Sequence, residues 1–166
     1  MKEISIYDVK ENIVDLINHQ WGLVTAGDEN ALNMMTVSWG AVGELWGMEM
    51  ATVYIRPQRH TIKFMEEQSY FTLSFYPAEL KKIHGVCGSE SGRDVDKVKK
   101  TGLTPVFDEK APYFKEAKLV LICRKVAKGK FESEQFIDKG IIDNCYPEND
   151  FHYIYYGEIE KVLITE

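Results

Sequence analysis

Two short stretches carry residue types that could hold an anion. Arg56-Pro57-Gln58-Arg59-His60-Thr61 places two guanidiniums, an imidazole and a hydroxyl in one run. The proline marks a strand giving way to a helix, because proline is tolerated in a first helical turn. Backbone N–H groups of such a turn lack intrahelical partners and lie at the positive end of the dipole. With Arg59, His60 and Thr61 in that turn and Arg56 just before it, the run reads as a cradle for phosphate. A bland basic turn has the same composition, although arginine at a helix start opposes the dipole. The second stretch, Ser89-Glu90-Ser91-Gly92-Arg93-Asp94-Val95-Asp96-Lys97, is another loop entering a helix. Its small residues would let backbone approach a ligand, with Arg93 and Lys97 supplying charge. Alone it is equally a capped surface helix, with Ser91 or Asp94 near the cap. Joined to the first stretch, it would form the second wall of one anion site.

Alternation adds a hydroxyl face. Thr36 and Ser38 fall on one side of the strand Met34–Trp39, opposite Met35, Val37 and Trp39. In Met50–Arg56, Thr52, Tyr54 and Arg56 share a side. If these strands are neighbours, they present hydroxyls ending in a guanidinium. A solvated sheet face has the same alternation but usually carries more Lys and Glu. His152 alternates with Ile154 and Tyr156 in a late strand, and is either pocket-facing or a satisfied structural histidine. His19 and His84 read as surface or packing residues, and Trp39 and Trp46 as core. Cys87 precedes a glycine but has no base beside it to mark a nucleophile. No carboxylate pair stands out for acid–base work.

The elements that must position these residues are mostly strands. Tyr7–Ile17 reads as an amphipathic helix, with Val9, Ile13, Leu16 and Ile17 on one side. Strands are predicted over Trp21–Ala26, Leu32–Trp39, Met50–Ile55, Tyr70–Tyr76, Leu119–Val126 and Phe151–Ile164. Helices are predicted over Pro57–Gln68, Ala78–Val86 and Asp94–Lys100, the last closed by Gly102. Helices this few and irregularly placed do not make an alternating parallel α/β sheet. A closed or nearly closed antiparallel barrel with excursion helices fits better. No repeat, linker or composition break divides the chain, so residues 1–166 read as a single domain.

Composition narrows the function. The 166 residues are 45% hydrophobic and 12% aromatic, which excludes a disordered chain. A formal net charge of −6 argues against a nucleic-acid binder and against a polybasic membrane-surface protein. The opening residues lack a signal-peptide apolar core, and no stretch is long and apolar enough to span a membrane. Three scattered cysteines, Cys87, Cys123 and Cys145, fit a reducing cytoplasm better than a disulfide framework. Zinc-ligand spacing, a Walker A loop and a Gly-x-Ser-x-Gly elbow are all missing, and Gly40, Gly43 and Gly47 have the wrong spacing for a dinucleotide fingerprint.

Taken in order, the segments resemble the flavin reductase-like family, and within it the flavoredoxin-type FMN-binding proteins. The resemblance rests on Trp21-Gly22-Leu23-Val24-Thr25-Ala26-Gly27, on Asn33-Met34-Met35-Thr36-Val37-Ser38-Trp39-Gly40 and on Val53–Thr61. It continues through Phe71–Ser74, Cys87–Ser89, Ser91–Lys97, Thr101–Leu103 and His152–Ile159, and is least distinct from about 105 to 150. It implies a Greek-key split β-barrel with short peripheral helices that dimerises and binds FMN near the subunit interface. It would set Asn33, Thr36, Val37, Ser38 and Trp39 along the isoalloxazine ring, and Thr52, Tyr54 and Arg56 beside the ribityl chain and phosphate. Arg59, His60 and Thr61 would hold the phosphate, with Ser91, Arg93 and Lys97 closing the site and His152 near a second substrate. The implied activity is hydride transfer from NAD(P)H to flavin, with electrons passed to another acceptor. Exchange of flavin as a substrate, electron transfer from a redox partner protein, or flavin storage are the alternatives.

Overall fold

The computed structural model describes residues 1–165. Its first strand, β1 (Lys2–Ile4), leads into a 3-10 turn at Ile6–Asp8, a single α-helical turn α1 (Ile13–Asp15) and a π-helical turn at Leu16–Gln20. The amphipathic helix expected over Tyr7–Ile17 is therefore broken. Ser5 and Asn12 each cap a new turn with their side chains, and that local bonding competes with one continuous helix. Leu16 and Ile17 still reach the core.

The rest of the sheet is β2 (Gly22–Gly27), β3 (Leu32–Val37), β4 (Gly40–Leu45), β5 (Met48–Ile55), β6 (Tyr70–Phe75), β9 (Leu119–Lys130) and β10 (Tyr153–Ile164), with α2 (Thr61–Glu67) joining β5 to β6. Between β6 and β9 lie α3 (Ile83–Ser89), α4 (Lys97–Thr101) and the small hairpin β7 (Pro105–Val106) and β8 (Tyr113–Phe114). The last helix, α5 (Gly140–Cys145), belongs to an excursion between β9 and β10. The strands pair antiparallel in the order β3-β2-β6-β9-β10-β5-β4, with β1 also on β10. The link from β5 to β6 skips two strands, as in a Greek key.

The two edges of this sheet are β3 and β4, and only Ser38 and Trp39 separate them in the chain. Three residue steps span at most roughly 11 Å. The sheet must therefore curl until its edges nearly meet, which makes an incomplete barrel with a seam at Ser38–Trp39. The fold is thus mainly antiparallel β with short helices, as expected, but β3 and β5 are not hydrogen-bonded neighbours.

Alternation along the strands explains the packing. Leu119, Leu121 and Cys123 of β9 join Val53, Phe71, Phe75 and Tyr155 inside the barrel. Val120 and Ile122 turn outward to Leu23, Met34, Ile83 and Phe114 under α3 and the small hairpin. Central strands are buried on both faces and read as continuous apolar runs. Gly157 of β10 sits at a register shift, where a Cβ would lie 2.6 Å from the Phe71 ring and 2.8 Å from Cys123. Two strands missed on the sequence alone, or cut short, are β4 and the N-terminal end of β5, joined by the turn Trp46-Gly47. Trp46 takes φ 61° there and is 60% exposed, and Trp39 is 44% exposed, so neither tryptophan is a core residue. Among the described residues no helix is long and apolar enough to cross a membrane.

Candidate functional site

Two pockets adjoin, one of them at the seam, and Met35 and Arg59 line both. The first, about 220 Å³, is walled by Thr36, Val37, Ser38 and Trp39 from the end of β3, by Tyr54 and Arg56 from the end of β5, and by His152. Behind Tyr54 and His152 packs the excursion from Phe131 to Phe151. Phe131 stacks on Tyr54, and Tyr146 packs on Phe136, Phe151 and, edge-on, His152. Arg56 ties this excursion down through a 2.6 Å ion pair to Asp150 and a hydrogen bond to the Cys145 carbonyl. His152 is 7% exposed, its Nδ1 lies 2.8 Å from the Tyr146 hydroxyl, and burial with Arg56 nearby pushes its pKa down to about 4.

The second pocket, about 210 Å³, gathers Arg59, His60 and Thr61 from one side and Ser89, Glu90, Ser91, Gly92, Arg93 and Lys97 from the other. Lys97 is 5% exposed, and its ammonium reaches only the carbonyls of Met34 and Cys87. Arg59 donates to the Gly88 carbonyl at 2.6 Å and Arg93 to the Gln58 carbonyl at 3.2 Å. None of these three cations is paired with a carboxylate among the described residues, and the nearby Glu90 is engaged by Lys100. Burial, then the neighbouring Arg56, holds the Arg59 pKa below its ordinary value, and burial does the same to Lys97. The buried Nδ1 of His60 has no partner among the described residues. Buried Lys97, half-buried Arg59 and exposed Arg93 at the rim, with no carboxylate partner among the described residues, are suited to an anion. Gly92 is required there, because any Cβ would run into the Asn33 side chain.

Of the expected site residues, all but Thr52 and Asn33 line one of the two pockets. Thr52, paired with Ala41 and Tyr156, lines neither pocket. Asn33 is buried beneath them, its amide donating to Thr61 Oγ1 at 2.8 Å. The Thr36 hydroxyl turns away to the His84 carbonyl at 2.9 Å, so the continuous hydroxyl face does not form. Arg56 stands in the aromatic pocket with Asp150, apart from Arg93 and Lys97. The helix geometry also differs: α2 begins at Thr61, and the N–H groups of Arg59, Ile62 and Lys63 bond to Arg56, Arg59 and His60. Among the described residues the N–H groups of His60 and Thr61 are left without a partner, so open N–H donors and side chains face this pocket together. Similarly α4 starts later than expected, capped by Asp96 in place of Ser91 or Asp94.

Cys87 is enclosed within α3 and its thiol is pushed up to about 11 by burial, so it is a packing residue. His84, 3% exposed, also packs, whereas His19 is exposed. Sequence reasoning missed Met35, Gln58, Tyr146 and Asp150. The last two come from a region with no clear periodicity, and only the aromatic density of Phe131–Phe151 signals them.

An apolar groove of about 640 Å³ adjoins the seam, lined by Ile13, Val14, Ile17, Trp39, Val42 and Phe131 among others. It runs beside β4, an open sheet edge.

Comparison with known proteins agrees with this architecture. Residues 14–166 match the model of the flavin reductase like domain. No curated protein matched the sequence. Among solved structures, flavoredoxin from Methanosarcina acetivorans has 24% identity and a TM-score of 0.70, over 89% of this chain and 69% of that one. An FMN-binding protein from Thermus thermophilus has 18% identity and a TM-score of 0.70, over 98% and 83%. A Shewanella frigidimarina protein described with a split barrel domain has 19% identity and a TM-score of 0.69, over 89% and 67%.

Proposed function

Because the chain belongs to the flavin reductase-like domain family, we propose that it is an FMN-binding oxidoreductase whose two joined pockets hold one flavin. The observation that carries this reading is the polar pocket, where Arg59, Arg93 and Lys97 converge without a carboxylate partner. A phosphate dianion would supply the missing charge, with Ser91 and Thr61 hydroxyls beside it. The ring would lie in the aromatic pocket along Thr36–Trp39, between the seam and Tyr54. Bound FMN supplies hydride acceptance at N5 and onward electron transfer. The chain's own part is to fix the phosphate, hold the ring at the seam and exclude water with the Phe131–Phe151 excursion. His152 and Trp39 would border the second substrate.

NAD(P)H is the proposed hydride donor, with a second protein accepting or donating electrons as the competing reading. One observation favours the latter: the excursion carries Glu132, Glu134, Asp138, Asp143, Glu148 and Asp150 against the single Lys139. That charge opposes a dinucleotide's phosphates and suits a basic protein surface. A second copy of the chain is the proposed occupant of the apolar groove, since Val14 and Trp39 are exposed beside an unpaired strand edge. The localisation we propose is the cytoplasm.

The purified protein, loaded with FMN, is expected to be yellow and to bleach on anaerobic addition of NADH or NADPH. A yellow protein that neither nucleotide bleaches would assign it to the electron-transfer or storage reading. A protein that cannot be loaded with FMN would overturn both.

A further inference from the structure

We propose that Tyr146 is a positioning residue that fixes the His152 ring as an Nε2–H donor facing the aromatic pocket, where it recognises a carbonyl or carboxamide oxygen of the second substrate.

Tyr146 is 3% exposed, and among the described residues its hydroxyl has one partner, Nδ1 of His152 at 2.8 Å. A buried O–H that does not donate loses the full cost of its desolvation. Its only acceptor is that ring nitrogen, so Nδ1 is unprotonated and the remaining ring proton sits on Nε2. Nε2 has no protein partner, yet it is not among the enclosed atoms left without one, so it opens to the pocket that His152 lines.

The ring is also held in place. The Trp39 ring lies 5.1 Å from it, and the His152 carbonyl accepts from the Phe131 N–H at 3.1 Å. Tyr146 is clamped by Phe151 at 4.9 Å, by Phe136 at 5.7 Å and by the Arg56 guanidinium 5.2 Å over its face. The charged groups acting on the imidazole are Arg56 at the end of β5, Arg59 in the following turn and Asp150 in the excursion. Asp150 is paired with Arg56, so its pull toward imidazolium is offset. The imidazole stays neutral and acts as a donor, not as an acid that changes charge near neutral pH. A neutral N–H selects an oxygen acceptor without demanding a negative charge.

The tautomer stands on this chain's side chains alone. The recognition step rests on the flavin reading, because it places the second substrate in the pocket beside the ring. Nitrogen-15 spectra of histidine-labelled protein without flavin separate the two, with the His152 signal assigned from His152→Gln. Wild type is expected to show the Nε2–H form at pH 7. Tyr146→Phe keeps the aromatic packing and is expected to leave a mixture, with an Nδ1–H share appearing once the single hydrogen bond is gone. In turnover with the nucleotide that bleaches the flavin, the same variant is expected to raise KM about three- to tenfold, the scale of one neutral hydrogen bond, with little change in kcat. An Nδ1–H form in wild type, or a tautomer unmoved by Tyr146→Phe, overturns the positioning role. An Nε2–H form with no flavin loading overturns the functional reading and the recognition step together, and leaves the tautomer assignment supported.

Discussion

Arg59→Ala is expected to weaken FMN binding by about 1.5–3 kcal/mol, roughly 10- to 150-fold, the scale of a hydrogen bond to a charged group. Arg59 is the one cation that lines both pockets. Its guanidinium is half-buried and, among the described residues, engaged only by the Gly88 carbonyl and free of any carboxylate. Burial beside Arg56 already works against its charge, so an arriving dianion gains from relieving that tension. Arg56→Ala is the informative comparison. Its guanidinium is neutralised by Asp150, so its loss should loosen the excursion and cost less FMN affinity than the loss of Arg59. Fluorescence titration of FMN against both variants measures this. Equal affinities for wild type and Arg59→Ala would remove Arg59 from the phosphate site.

Acid is expected to destabilise the fold well above the pH at which its paired carboxylates protonate. His84 is 3% exposed beneath β3 and β2, with Trp21 and Tyr76 against its ring. Burial pushes its pKa from 6.5 to about 4. Between those values the unfolded chain binds a proton that the folded chain refuses. Its contribution to stability is therefore full above about pH 7 and declines as pH falls through 6.5 toward 4. From pH 7 to pH 5 the loss amounts to about 2 kcal/mol, at 1.36 kcal/mol per pKa unit. His152, with the same displaced value, adds a similar amount. Asp150 and Glu66 are held below their ordinary values by their partners, Arg56 and Gln58 for the first and Lys128 and Tyr155 for the second, so their protonation falls below this window. Urea unfolding at the two pH values should show the loss in wild type and about half of it in His84→Gln. Identical pH dependence in both proteins would place the acid sensitivity elsewhere.

The polar pocket was legible in the sequence because its residues are local. Arg59, His60 and Thr61 lie in one turn, and Ser91, Arg93 and Lys97 in one loop and helix start, so residue type and spacing sufficed. The central strand was legible as the unbroken apolar run Leu119–Cys123, which the structure buries on both faces. What failed depends on long-range pairing. Nothing near Arg56 announces that Asp150 would neutralise it, and nothing near Thr36 announces the His84 carbonyl. The β4–β5 hairpin stayed hidden because its two-residue turn is Trp46-Gly47, without the Asn-Gly or Asp-Gly that usually marks such a reversal. Tyr146 was invisible because its role exists only once the excursion folds back on His152.

The central claim is that Arg59, Arg93 and Lys97 form a phosphate site for a flavin whose ring lies at the seam. Comparing wild-type affinity for FMN and for riboflavin, which share the ring and ribityl chain and differ in the phosphate, tests it most directly. FMN is expected to bind at least about 100-fold more tightly, since several charge-assisted hydrogen bonds depend on that one group. Equal affinities for the two flavins would contradict the assignment.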